Sequence, residues 1–248
     1  MKNKAIKKYV LWGVFVVVML VGFLWPLPNY IEGPGDASNL SKIVKIQNHP
    51  DKRKGMFMLT SVSIAQARPF TYLYAKLNPH YSVESDDSVT AGQNMTEYDK
   101  VQHFYMESSI NEAIYTAYKH ANQPVRRTYN GIYILNIERQ SKFYHALRVG
   151  DVVVKVDGHH FKSSTGFVNY VKHQRVGQKL TVTYRRNGHN HQVTKRLIQI
   201  AGHRPGIGIT LTDDVKVKPK VPIKVDPGQV GGPVSYTHLR AHETLANL

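Results

Sequence analysis

Paired histidines, paired carboxylates and a histidine–glutamate pair are the residues of this 248-residue chain whose types and spacing could do chemistry. His189 and His191 lie two apart, so on a strand they share a face, and two ring nitrogens could begin a zinc site. Structural zinc takes four ligands, and the pair reads as a solvated hairpin tip. His159-His160, just after Asp157-Gly158, reads the same way. Asp213-Asp214 reads as a loop pair, not as an acid–base dyad. His242-Glu243-Thr244 opens like a zinc-protease helix, but no second histidine follows at the helical spacing that chemistry needs. The absence of cysteine removes disulfides, thiolate metal ligands and cysteine nucleophiles together. No metal site and no cofactor are expected, and no residue of this chain is assigned a catalytic role.

The charge balance narrows the partners. Lys and Arg number 33 against 17 Asp and Glu, a formal net charge of +16. Such an excess suits nucleic acid, anionic lipid or an anionic cell wall. The basic residues are spread along the chain, without an arginine-rich run interleaved with aromatics and without a recognition-helix pattern. The expected reading is a solvated basic surface in an anionic envelope, with no nucleic-acid partner.

The elements that would hold any site begin with an anchor. Tyr9 to Trp25 carries no charge and nearly reaches the roughly twenty residues that span a hydrocarbon core. Lys2, Lys4, Lys7 and Lys8 precede it, which favours a cytoplasmic N-terminus and an extracellular bulk. Trp12 and Trp25 sit near its two ends, where indoles prefer the interface. A cleaved signal peptide would show small residues just past the apolar run, and Trp25 to Tyr30 offers none. The expectation is a single-pass signal anchor in the cell membrane, over residues 9–28, after a cytoplasmic stretch at 1–8.

Past the anchor, Tyr30 to Asp36 is turn-rich, with Gly33, Pro34 and Gly35. Ile43–Ile46 and Gly55–Val62 read as two strands of a hairpin across an Asn48-His49-Pro50-Asp51 turn. Residues 95–122 form the clearest soluble helix, with Tyr98, Val101, Tyr105, Met106 and Ile110 along one stripe. From Val125 the chain becomes strand-like. Gly131–Ile137 and Val152–Val156 are strands, and Ser164–Gln174 suits a short helix. Leu180–Tyr184 and Gln192–Ile198 form a hairpin across Asn187-Gly188, a strong type I′ signal.

That order resembles a bacterial PDZ domain over residues 125–202, with segment 29–124 before it. The residues that carry the resemblance are Gly131-Ile132-Tyr133-Ile134, Ser141 to Leu147 leading into Gly150-Asp151, Val154 to Gly158, and the hairpin at Arg185-Arg186-Asn187-Gly188. PDZ domains bind an extended peptide by adding it to a sheet edge beside a helix. The resemblance implies that Gly131, Ile132, Tyr133 and Ile134 form a loop whose backbone N–H groups hold a peptide C-terminus. Equally open is that Ile132 and Ile134 pack the core and no C-terminus is bound.

The anchor, Ile31-Glu32-Gly33-Pro34-Gly35, Thr60-Ser61-Val62, Met106-Glu107-Ser108-Ser109 and the PDZ-like part together resemble the membrane-anchored Lon-like serine proteases of Gram-positive bacteria. In that family a Lon-type peptidase domain with a serine nucleophile and a lysine base follows, entered by a Gly-Gly-Pro-Ser-Ala-Gly signature. Here Gly231-Gly232-Pro233 matches, and residues 203–233 would be the start of that domain. Val234 stands where the nucleophile should be, and the downstream lysine has no counterpart. Lys216, Lys218, Lys220 and Lys224 precede the motif and read as exposed charges. The run from Val234 to Thr244 back-translates into a transposon-type sequencing adapter, so 234–248 reads as a library artefact and Ser235 takes no role.

The expectation is thus an α+β chain: a transmembrane helix, a strand/helix segment, a PDZ domain and a truncated Lon-type start. Its resemblance implies an endopeptidase acting on exported peptides or proteins. Its partners would be a peptide or protein substrate and the membrane, with an oligomer possible for the full-length protein. A non-catalytic, membrane-tethered PDZ scaffold is the alternative.

Overall fold

The apolar N-terminus is helical in the computed structural model, which describes residues 2–47 and 55–228. In chain order the first elements are α1 (Lys2–Leu24), β1 (Asn29–Asn39), α2 (Leu40–Ile43), β2 (Val44–Ile46), β3 (Met58–Gln66) and α3 (Pro69–Leu77). Then come β4 (Ser82–Ser85), α4 (Asp86–Thr90), α5 (Met95–His120), β5 (Val125–Ile137), β6 (Val152–Val156) and α6 (Ser164–Lys172). The last are β7 (Lys179–Arg186), β8 (His189–Arg196), β9 (Ile198–Ile200), β10 (Arg204–Gly206), β11 (Ile209–Pro219) and β12 (Ile223–Val225). The chain is mixed α and β and divides into two compact units.

The first unit takes in residues 2–43 and 55–94 of the described chain. Within α1, Ile6–Leu24 is long and apolar enough to cross a membrane, and only 6% of it is buried. Behind it stands a three-stranded antiparallel sheet in the order β3-β1-β4. Ile31, Ala67 and Ala75 form its small core, with Leu27, Tyr72, Tyr81 and Val83 around them.

Two sequence expectations fail in this region. Tyr30 to Asp36 is not a turn but the body of β1, a central strand. The turn-forming residues serve another purpose there. Gly33 leaves room for the Tyr81 ring, and Gly35 lets the backbone approach Ser61, whose carbonyl oxygen would stand 2.6 Å from a Cβ. Pro34 sits where the register shifts, a bulge position that tolerates its missing N–H. Nor do residues 43–46 and 55–62 make a hairpin. β3 pairs with β1, whereas β2 pairs with β12 through Lys45 and Lys224. The turn expected at Asn48-His49-Pro50-Asp51 lies outside the described residues, as do Gly231-Gly232-Pro233, Val234, Ser235 and the 234–248 run.

The second unit is built on a five-stranded antiparallel sheet in the order β11-β5-β6-β7-β8. Alternate residues of β5, β6 and β7 point into one core. Ile132, Ile134, Phe143, Leu147, Val153, Val156, Leu180 and Val182 are almost fully buried there. Each contributes about 1.5–3 kcal/mol by leaving water. Phe167 and Val171, four apart on α6, cover that face. The opposite face is covered by α5, where Val101 and Phe104 meet Leu135 and Val149. The Phe104 ring stacks on Tyr133 at 3.8 Å between centroids.

The two expected tight turns form. Asn187 and Gly188 both have positive φ, 51° and 80°, as do Asp157 and Gly158, 46° and 81°. That is the type I′ geometry which matches strand twist. Asp151, 2% exposed, holds the β6 entrance: it accepts from Arg186 Nε at 2.8 Å, Arg186 Nη2 at 2.7 Å and Arg148 N at 2.8 Å.

One further correction concerns Asp213-Asp214. They lie not in a loop but within β11, paired with Ile132 and Gly131 of β5. The pairing runs from Ile209–Ile137 to Pro219–Val125, so the sheet continues past residue 202, where the sequence reading begins a new domain.

Candidate functional site: an open sheet edge

Peptide capture by strand addition needs a strand with one unpaired side. β5 does not have one over the expected loop. On one side it pairs with β11 and on the other with β6, through Ile132–Val153 and Tyr133–Val152. Ile134 N donates to Asp151 O at 3.0 Å, and its carbonyl accepts from Gly150 N at 3.0 Å. Ile132 and Ile134 are core residues. Gly131 serves a close approach of strands, since a Cβ there would lie 2.5 Å from Val153 O, with φ at +144°. Tyr133 stacks beneath α5, and burial, helped by Asp214, raises its phenol to about 12. The four residues read as a carboxylate loop therefore form the middle of a sheet.

Among the described residues the sheet ends in two edge strands, β8 and β11, and β11 is the one that α6 approaches. α6 approaches β10 and β11 and no other strand as closely. Ser164 N, at the first turn of α6, donates to Asp213 Oδ1 at 2.5 Å, which ties the helix start to the strand. Ile207 is buried in the same core as α6, and Ile209 and Leu211 pack against its edge. Apolar residues thus lie along the start of β11 where α6 approaches it.

Ahead of β11 the chain reads Gly206-Ile207-Gly208-Ile209. The Ile207 carbonyl accepts from Ser141 Oγ at 2.5 Å, and the Gly208 carbonyl from Glu138 N at 2.9 Å. Both carbonyls therefore point inward. Among the described residues, no backbone acceptor pairs with the N–H of Ile207 or Gly208. Gly208 has φ +75° and a Cβ there would meet Ile198 Cδ1 at 3.0 Å, so only glycine sits without strain. At Gly206 a Cβ would lie 2.7 Å from Ile200 Cγ2. The sequence reading passed over this segment. Its signal was present, because Gly-Ile-x-Ile occurs twice and only the second copy precedes a strand with an open side.

Nearby carboxylates shape the electrostatics. Burial raises the pKa of Asp214, partly offset by Lys216 and by the Asn130 amide at 3.4 Å. Burial pushes the Tyr129 phenol well above its usual range, and Asp213 and Asp214 add to this. No group of three or more His, Asp or Glu that could hold a metal forms among the described residues. His189 and His191 lie on exposed β8, where the His191 ring stacks on Tyr184 at 5.5 Å. Lys216, Lys218, Lys220 and Lys224 are exposed, with Lys216 paired to Glu107.

Comparison with known proteins meets this geometry. A PDZ domain family model matches residues 121–197, from the end of α5 through β8. Among solved structures, the PDZ domain of an SdrC-like protein from Listeria monocytogenes is 33% identical, covers 34% of this chain and 90% of its own, and gives a TM-score of 0.33. The second domain of a Listeria protein is 35% identical, with 35% and 88% covered and a TM-score of 0.33. No curated protein matches the chain. Residues 121–197 of this chain are a PDZ domain.

Proposed function

We propose that the chain captures extended peptide segments at the open edge of β11, as the substrate-binding part of a membrane-tethered Lon-like serine endopeptidase. The observation that carries the capture is the unpaired side of β11 beside α6, in a unit whose PDZ part has a peptide-binding fold. A docked strand would bond to the β11 backbone and set apolar side chains against Ile207, Ile209 and Leu211. The N–H groups of Ile207 and Gly208 would receive its terminal carboxylate or a backbone carbonyl.

The peptidase part of the reading rests on sequence: the anchor, the order of elements and the Gly231-Gly232-Pro233 lead-in. With Val234 at the nucleophile position, the 248-residue chain should bind peptides without cutting them. Tethering rests on α1, with the PDZ unit outside the cell. A Ser-Ala-Gly continuation and a later lysine in the source gene would favour the protease over a scaffold that only binds.

Hydrogen exchange tests the capture. With peptides ending in an apolar residue, amides of 207–213 should gain protection while those of 131–134 stay unchanged. Amidated peptides then separate recognition of a free C-terminus from recognition of an internal segment. Protection at β8 in place of β11 would overturn the assignment.

A further inference from the structure

The α3 helix carries an apolar stripe that its own unit covers only in part: Phe70 and Tyr74 meet the rings of Phe23 and Tyr81, while Leu73 and Leu77 stay open. Phe70, Leu73, Tyr74 and Leu77 stand at i, i+3, i+4 and i+7, which aligns them in one stripe. In an ordinary globular helix such a stripe faces the core. Here Ala75, on another side, is the residue buried against the sheet, with Tyr72 beside it. Leu73, Tyr74 and Leu77 are 58%, 56% and 77% exposed.

The fourth member shows where the stripe leads. Phe70 packs edge-on against Phe23 at 4.9 Å, and lies over Gly22 so closely that a Cβ there would overlap its ring. Gly22 and Phe23 form the last turn of α1. The exposed stripe of α3 is therefore continuous with the surface of the apolar helix at the end where the chain leaves it.

We propose that α3 lies in the lipid–water interface beside the exit of α1, with Phe70, Leu73, Tyr74 and Leu77 seated among the outer acyl chains. The proposal rests on α1 crossing the membrane. If it does, its last turn stands at the hydrocarbon boundary, and Phe70 fixes α3 at that depth. A helix with an apolar face lies in the plane of the interface, with that face about 5–10 Å into the headgroup–acyl boundary. Tyrosines favour that boundary, and the exposed cations Arg68 and Lys76 at the two ends of α3 suit anionic headgroups. A protein partner on the stripe would have to enter the same lipid layer, so lipid is the occupant that continuity selects.

The absence of native cysteine makes single-site labelling clean. Phe15→Cys in α1, Leu77→Cys in α3 and Lys179→Cys in β7 would each carry an environment-sensitive dye. The full chain would be reconstituted in phosphatidylethanolamine–phosphatidylglycerol vesicles. A lipid-borne quencher placed near the headgroups should dim the Leu77 label about two-fold or more, and aqueous iodide should barely reach it. The Lys179 label should behave oppositely, and a deep acyl quencher should dim the Phe15 label. If Phe15 is dimmed but iodide freely reaches Leu77, the interfacial helix is refuted and the anchor stands. If Phe15 is not dimmed, the anchor reading itself fails. A Leu77 label shielded from both quenchers would mean that protein, such as a second copy, covers the stripe, and the lipid assignment falls.

Discussion

Two segments of this chain share the pattern Gly-Ile-x-Ile and meet opposite fates. Residues 131–134 sit in β5 with neighbours on both sides, their isoleucines in the core and their glycine pressed against β6. Residues 206–209 lead into β11, which pairs with β5 on one side and, among the described residues, with no strand on the other, where α6 approaches. The difference lies in the sheet order and not in the residue types. A pattern of glycine and isoleucine says that backbone must come close to something. Whether that something is another strand or a ligand is decided by what occupies the next position in the sheet.

The largest effect should come from the closed segment. Gly131→Val places a side chain against Val153 O and Val152 Cγ1 at φ +144°, a clash with backbone that cannot turn aside. The expected loss of stability is about 3 kcal/mol or more, read by urea denaturation. Any loss of peptide binding in that variant should track the unfolded fraction. A stable Gly131→Val protein with abolished binding would reverse the comparison and return the site to β5.

The same contrast explains what could be read from the residues alone. Local signals were legible: the 95–120 helix by its apolar stripe, β6 by its valines, and the turns at Asp157-Gly158 and Asn187-Gly188 by their chemistry. Features decided by distant partners were not. β1 hides behind Gly33-Pro34-Gly35, whose role depends on Tyr81 and Ser61. β2 finds β12 from the far end of the chain. Asp213 and Asp214 read as a loop because two adjacent carboxylates are poor strand residues. They become strand through an eleven-pair ladder with β5, with Asp213 also spent on Ser164 N. The PDZ part was legible because its turns and strands recur at set spacings. The edge position of β11 was not, because strand neighbours are a property of topology.

Gly208→Ala probes the open segment. Its φ of +75° and contacts of 3.0 Å and 3.2 Å to Ile198 and Ser141 predict a stability cost of about 1–2 kcal/mol. The fold should survive, but the carrier of the free N–H groups shifts. Peptide affinity should fall about tenfold, equivalent to about 1.4 kcal/mol, in a titration of the folded variant. Tyr133→Phe, on the closed segment, should leave affinity unchanged. Equal losses in the two variants would mean that both segments touch the peptide.

The smallest expected effect concerns Asp214 of β11, across the ladder from Gly131. Burial raises its folded pKa above the unfolded value. Such a carboxyl costs nothing below the unfolded pKa, where both states hold the proton; the cost grows as pH rises from there and is complete above the folded pKa. Asp214→Asn removes that cost and keeps an acceptor for the Asn130 amide. The variant should be more stable than the parent at about pH 7, by no more than about 1 kcal/mol, and the gain should vanish below about pH 3. Denaturation curves at the two pH values separate this from a change in packing, which would persist at both. A loss at neutral pH would show that the ionised carboxylate, held by Lys216, stabilises the β11–β5 ladder after all.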